Sequence, residues 1–203
     1  MRKFAYAITA LLIMSFTVVP KVLNRQEDRK MLLDYMEETK QFFLDNVKDL
    51  SDAQLDFKAA PDRWSIRQCM EHIALSEQAI PQFIKSGLQP MSDSMNHNLI
   101  KVTDEQVIQM ITDRSHKAQA PDMLKPTGKF PTKMDAINAF VKQRDENIDF
   151  VKNSQTNLRD MFVKNPVLGV IDEDQAYLFM AAHTKRHTLQ IVEVKNTTGF
   201  PAN

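Results

Sequence analysis

His183 and His187 stand four residues apart in a segment whose apolar positions recur at helical spacing, so their imidazoles lie on one face, one turn from each other. Two imidazoles so placed can serve as two ligands of one metal ion. Read as a stripe, Ala176, Met180, His183, Thr184, His187, Ile191 and Val194 form the face that should meet the core, so both rings point inward. A buried imidazole needs a partner at each ring nitrogen, and a shared cation with outer hydrogen-bond acceptors meets that demand for both. His72 offers a third ligand. It aligns with Cys69 and Ser76 at the margin of another apolar stripe. Alone it would read as an interfacial histidine bonded to a carbonyl; beside the pair it reads as a ligand. Three imidazoles from two helices leave coordination positions open, the arrangement of a catalytic rather than a structural site.

Other chemistry-bearing residues are less specific. Glu77 and Glu193 are general-base candidates by residue type alone, and each also reads as a solvated residue of its helix. Cys69 lies one turn before His72 and could be a soft ligand or a reactive thiol, although a lone helical cysteine is more often a small buried hydrophobe. His97 and His116, amid polar residues, read as ordinary exposed histidines. With one cysteine and no CxxC, the chain has no thiolate set, so any metal must rest on histidine or carboxylate.

The elements that must position these residues are helices. Leu32, Met36, Thr39, Phe43, Val47 and Leu50 mark an amphipathic helix of about 25 residues. Ser65 with Gln68 makes a capping box, and Trp64 is placed to staple the same helix start. The helix that follows carries Ile66, Cys69, Met70, Ile73, Ala74, Ile80 and Phe83 as its stripe and stops near Ser86 and Gly87. Residues 88–131 are irregular, with Pro90, Pro121, Pro126, Gly128 and Pro131 around one short helical window near 103–115, and read as a long crossover able to roof the site. Thr132 and Asp135 open a third long helix, striped by Met134, Ile137, Val141, Ile148 and Val151. Arg144 falls in that stripe and reads as a side chain snorkelling at its edge. A loop over 165–169 leads to Asp172 or Asp174 as cap of the last helix, which reaches about Lys195. No long strand candidate is present. The fold expected is an all-α four-helix bundle with a long irregular crossover between its second and third helices.

Ahead of it, Met1-Arg2-Lys3 and the apolar run 4–19 have the layout of an export signal or signal anchor, so residues 1–20 are expected to export the protein and 21–203 to form the domain. Membrane contact is expected only through that segment if it stays uncleaved. Lys+Arg 26 against Asp+Glu 26 leaves no basic surplus for phosphates, which argues against nucleic acid. Gly 4 in 203 residues disfavours hairpins and phosphate-cradling loops. A small-molecule substrate fits better, and a homodimer is compatible with the sequence.

The segment Pro61-Asp62-Arg63-Trp64-Ser65-Ile66, the following Glu71-His72-Ile73, and the late run from Ala182 through His183 and His187 to Ile191 resemble the DinB/YfiT-like superfamily of metal-dependent enzymes over residues 31–195. The resemblance implies a four-helix bundle with a divalent metal, commonly zinc or nickel, on His72, His183 and His187. It also implies one of two chemistries, hydrolysis by metal-activated water or thiol-dependent transfer or isomerisation. The export segment tilts the expectation towards a hydrolase, because low-molecular-weight thiols are mainly cytoplasmic. Leu189 stands where an HxxxHxE pattern would carry its glutamate, so a carboxylate base must come from elsewhere. A metal-binding module without chemistry and a bundle that binds a small apolar ligand are the remaining alternatives.

Overall fold

The computed structural model describes residues 21–90, 97–116 and 119–202; the expected export segment, residues 1–20, lies outside them, as does the side chain of His97. Four long helices form the bundle: α1 (Lys21–Val47), α3 (Ile66–Gly87), α5 (Lys133–Asn153) and α6 (Glu173–Lys195). Two short helices, α2 (Asp52–Asp56) and α4 (Asp104–Thr112), sit in the connections. Around the bundle α6 packs between α1 and α3, and α5 closes the ring on the other side, so α3 and α6 are neighbours. α4 lies against α6. No helix among the described residues is long and apolar enough to cross a membrane.

Local chemistry sets the helix starts. Ser65 and Gln68 exchange side-chain and backbone bonds at the head of α3, Thr132 and Asp135 do so at α5, and Asp172 caps α6 by accepting from the Gln175 amide. Ser51 with Gln54 and Thr103 with Gln106 repeat the capping box at α2 and α4. Each such cap contributes about 0.5–2 kcal/mol.

The connections contain a small antiparallel sheet, β1 (Gln89–Pro90), β2 (Met161–Asn165) and β3 (Gly169–Asp172), in that order. Strands this short are too brief to show period-two alternation, which is why the sequence reads as loop there. The β2–β3 turn forms because the Asn165 side-chain oxygen accepts from the Val167 and Leu168 amides and Gly169 takes a positive φ of 78°. The sheet packs close on the end of α3: a Cβ on Gly87 would meet Val163 at 2.9 Å. The sheet thereby ties the start of the crossover to the segment that feeds α6.

The core has two apolar halves, one around Leu32, Met36, Tyr177 and Met180, the other around Phe43, Met70, Phe140 and Ile191. On every bundle helix a polar residue separates them: Thr39 on α1, Glu77 on α3, Arg144 and Asn147 on α5, Thr184 on α6, all buried. Arg144 is therefore not a snorkelling side chain, and Glu77 is not a solvated one. Arg144 is fully buried and donates to the Met36 carbonyl at 2.7 Å, to Thr39 Oγ1 at 2.8 Å and to Thr184 Oγ1 at 2.9 Å, besides its ion pair with Glu77. Phe83 and Met134, expected in the stripes, are instead exposed. Both lie at stripe margins, where spacing does not separate core from surface.

Candidate metal centre

Adjacency of α3 and α6 brings His72, His183 and His187 together. Their ring centroids are 5.1 Å (His72–His183), 4.4 Å (His72–His187) and 4.6 Å (His183–His187) apart. One ring nitrogen from each lies within 4.8 Å of the others, and a small inward movement of the rings brings them within the separation of at most about 4.2 Å that two bonds of about 2.1 Å to one ion span. His72 is buried, and the other two are half-buried.

Hydrogen bonds set the tautomers of two rings. His72 Nδ1 lies 2.8 Å from the Leu124 carbonyl, which can only accept, so Nδ1 carries the proton and the Nε2 lone pair is left bare. His187 Nδ1 lies 3.0 Å from Gln190 Oε1. That oxygen also accepts from Arg114 at 3.5 Å, which fixes the orientation of the amide and again leaves Nε2 with its lone pair. An imidazole held through Nδ1–H by a carbonyl is the usual support of a metal ligand. Trp64 lies beside the site with its ring tilted, 5.0 Å from His72 and 6.2 Å from His187, and Phe179 stacks on His183 at 6.2 Å.

Burial keeps the three rings neutral. His183 is pushed down to about 3, by desolvation first and then by the repulsion its protonated form would meet from His72, were that ring also protonated, and from Arg186. Desolvation also lowers His72, and desolvation with the neighbouring histidines lowers His187 further. At neutral pH the site is a set of three uncharged nitrogen donors. These residues fit a divalent ion of the kind imidazole binds: zinc, nickel or copper.

The crossover roofs the site through two adjacent residues of α3. While His72 holds Leu124, Glu71 accepts from the backbone amides of Thr127, Gly128 and Lys129 at 2.8–2.9 Å. Burial alone would raise the Glu71 pKa, but the three amides outweigh it and hold the carboxyl below its usual range. On the other flank Arg186 donates to the carbonyls of Ile111, Asp113 and His116, pinning the end of α4 to α6.

The other sequence candidates lie elsewhere. The carboxylates of Glu77 and Glu193 are both held by arginines, Glu77 by Arg144 in the core and Glu193 by Arg114 at 2.6 and 2.8 Å near the surface. Cys69 is fully buried and its thiol is pushed up to about 12 by desolvation, so it is a small core residue. His116 is exposed. Sequence reasoning assigned nothing to Gln190, Glu71 or Arg114. Gln190 could have been found, since it stands three residues after His187 and hence above the same helix face.

The sequence matches the DinB superfamily over residues 35–191. It is 24% identical over 149 residues to the uncharacterised protein YuaE of Bacillus subtilis (strain 168), covering 73% of this chain and 88% of that one. Among solved structures it is similar to YfiT from Bacillus subtilis, described as "a probable metal-dependent hydrolase with an unusual four-helix bundle topology". The TM-score is 0.54 at 16% identity, with 87% of this chain and 90% of that chain covered. At that identity the likeness carries the fold, and the match over most of the chain carries the family: this protein belongs to the DinB superfamily.

Proposed function

We propose that the protein is a metal-dependent hydrolase of a small molecule, with His72, His183 and His187 as the ligands of one divalent cation. The observation that carries this reading is the convergence of three desolvated imidazoles whose nitrogens lie within 4.8 Å, two of them with Nδ1 already held by an oxygen. The description of YfiT as a metal-dependent hydrolase on the same fold supports it. The cation, when bound, supplies Lewis acidity and brings the pKa of water towards neutrality.

The chain's own residues do the rest. Leu124 and Gln190 orient His72 and His187, and Trp64 and Phe179 keep bulk water from the rings. Three protein ligands would leave the cation with positions open to water or substrate. The basic head and apolar run of residues 1–19 support export of the enzyme.

A specific observation favours thiol-dependent transfer as the second reading. Both carboxylates with general-base potential are engaged by arginines, and a thiol loses its proton far more readily than water. A panel of ester, amide and lactone substrates, with and without a low-molecular-weight thiol, tests the choice. Turnover in the absence of thiol, abolished by a chelator and restored by zinc or nickel, is expected. Turnover that needs the thiol, or that survives chelation, overturns the hydrolase reading.

A further inference from the structure

A cavity of about 290 Å³ opens beside the candidate metal centre, between the loop ahead of α3 and the C-terminal half of α6. Arg63, Trp64, Arg114, Gln190, Glu193 and Val194 line it. Two of these, Trp64 and Gln190, are also the residues that touch His187, so cavity and histidines share a wall.

The charges in this cavity do not balance. Arg114 spends its guanidinium on both oxygens of Glu193. Arg63 is exposed at the same wall, and its side chain makes no hydrogen bond or ion pair with any of the described residues. Nearby, Arg186 is engaged by backbone carbonyls, which carry no charge to offset its own. Glu193 is held below its usual range by its bonds to Arg114 and, more weakly, by the charges of Arg114, Arg63 and Arg186. The cavity is thus electropositive with one guanidinium free to bind.

We infer that this cavity is an anchoring subsite for the carboxylate of a small monoanionic substrate, held by Arg63 and packed against Trp64. The inference rests on the reading of the histidines as the reaction centre and adds the substrate class: an organic acid with a short apolar tail. A guanidinium matches a carboxylate in two parallel bonds, and Trp64 with Val194 gives the tail an apolar wall. The volume lies at the small end of ligand pockets and suits a small substrate. A dianion such as phosphate is disfavoured, because the Glu193 carboxylate stands on the same wall.

Trp64 is the only tryptophan of the chain, so fluorescence excited beyond the tyrosine absorption reports its surroundings, which are this cavity and the rings of His72 and His187; the Arg63 variants assign a change to the cavity. The experiment titrates the full protein, stripped of metal by a chelator, with hexanoate, with hexanamide and with inorganic phosphate at constant ionic strength. Saturable change with hexanoate alone is expected, weakened about tenfold in Arg63→Gln and less in Arg63→Lys, as for loss of a charge-assisted bond. Equal response to acid and amide, a stronger response to phosphate, an undiminished Arg63→Gln or no saturation overturns the inference. Because the metal is absent, the outcome is independent of whether the histidines bind one. Failure here leaves the proposed function standing, and success here does not rescue it.

Discussion

Arg144 on α5 donates to both carboxylate oxygens of Glu77 on α3, at 2.6 and 2.9 Å, and neither side chain is more than 1% exposed. The pair sits where the two apolar halves of the core meet, and through Thr184 Oγ1, which is bonded to both, it reaches the residue next to His183. The same contact thus braces the two helices that carry the histidines. Removing one charge leaves the other buried without a partner, which costs about 3–5 kcal/mol. Arg144→Met should lower stability by that amount in chemical denaturation. Arg144→Met combined with Glu77→Leu should recover much of the loss, and a double variant as unstable as the single one contradicts this account of the pair.

Gln190 holds His187 through a single bond to Nδ1. Gln190→Ala should weaken divalent-metal affinity about 10–100-fold, in line with loss of other outer ligand supports, while leaving helix content unchanged. Competition with a chelating dye measures it. An affinity equal to the parent protein's would remove Gln190 from the ligand support.

Glu71 holds the crossover over the site through three amides of residues 127–129. Its carboxyl is lowered in the folded protein, so the stability it contributes is present above the ordinary carboxylate range and lost as pH falls through its depressed value. Glu71→Gln should accelerate amide exchange at 127–129, and the protection of these amides, corrected for the intrinsic pH dependence of exchange, should fall on acidification between pH 6 and pH 3 in the parent but not in the variant, on the order of the range over which a carboxylate titrates. Hydrogen exchange followed by mass spectrometry reads both effects.

Asp174, at the head of α6, shows the opposite sign. Desolvation pushes its carboxyl up to about 7; Arg159, 3.2 Å away, pulls it down, while Asp172, Asp104 and Asp28 push it further up. A raised carboxyl contributes stability that is complete below the ordinary carboxylate range and is lost as pH rises through about 7. The melting temperature should therefore climb as pH falls from alkaline to mildly acidic conditions, and Asp174→Asn should flatten that slope. A parent protein whose stability rises steadily into alkaline pH contradicts the assignment.

Much of this architecture is legible in the sequence because its signals are local. Ser65 with Gln68, Thr132 with Asp135, and Asp172 mark helix starts within four residues, and the structure places caps at all three. Ser51 with Gln54 carries the same signature and went unread, because a five-residue helix shows no periodicity behind its cap. The inward placement of His183 and His187 follows from helical spacing alone. What spacing does not show is pairing across helices. Arg144 and Glu77 each look like ordinary charged residues until α3 and α5 are set side by side, and Leu124 serves His72 through a backbone carbonyl that no residue type announces. Phe83 and Met134 fail for the converse reason, since apolar type at a stripe margin does not decide which side of the margin meets solvent.

The central proposal is that three neutral imidazoles hold one divalent cation. Metal analysis of gently purified protein lacking residues 1–20, compared with His183→Ala and His187→Ala variants of confirmed helicity, tests it most directly. About one zinc or nickel per chain in the parent and none in either variant is the predicted result. Folded parent protein that carries no divalent metal and takes none up, or variants that keep it in full, would contradict the proposal.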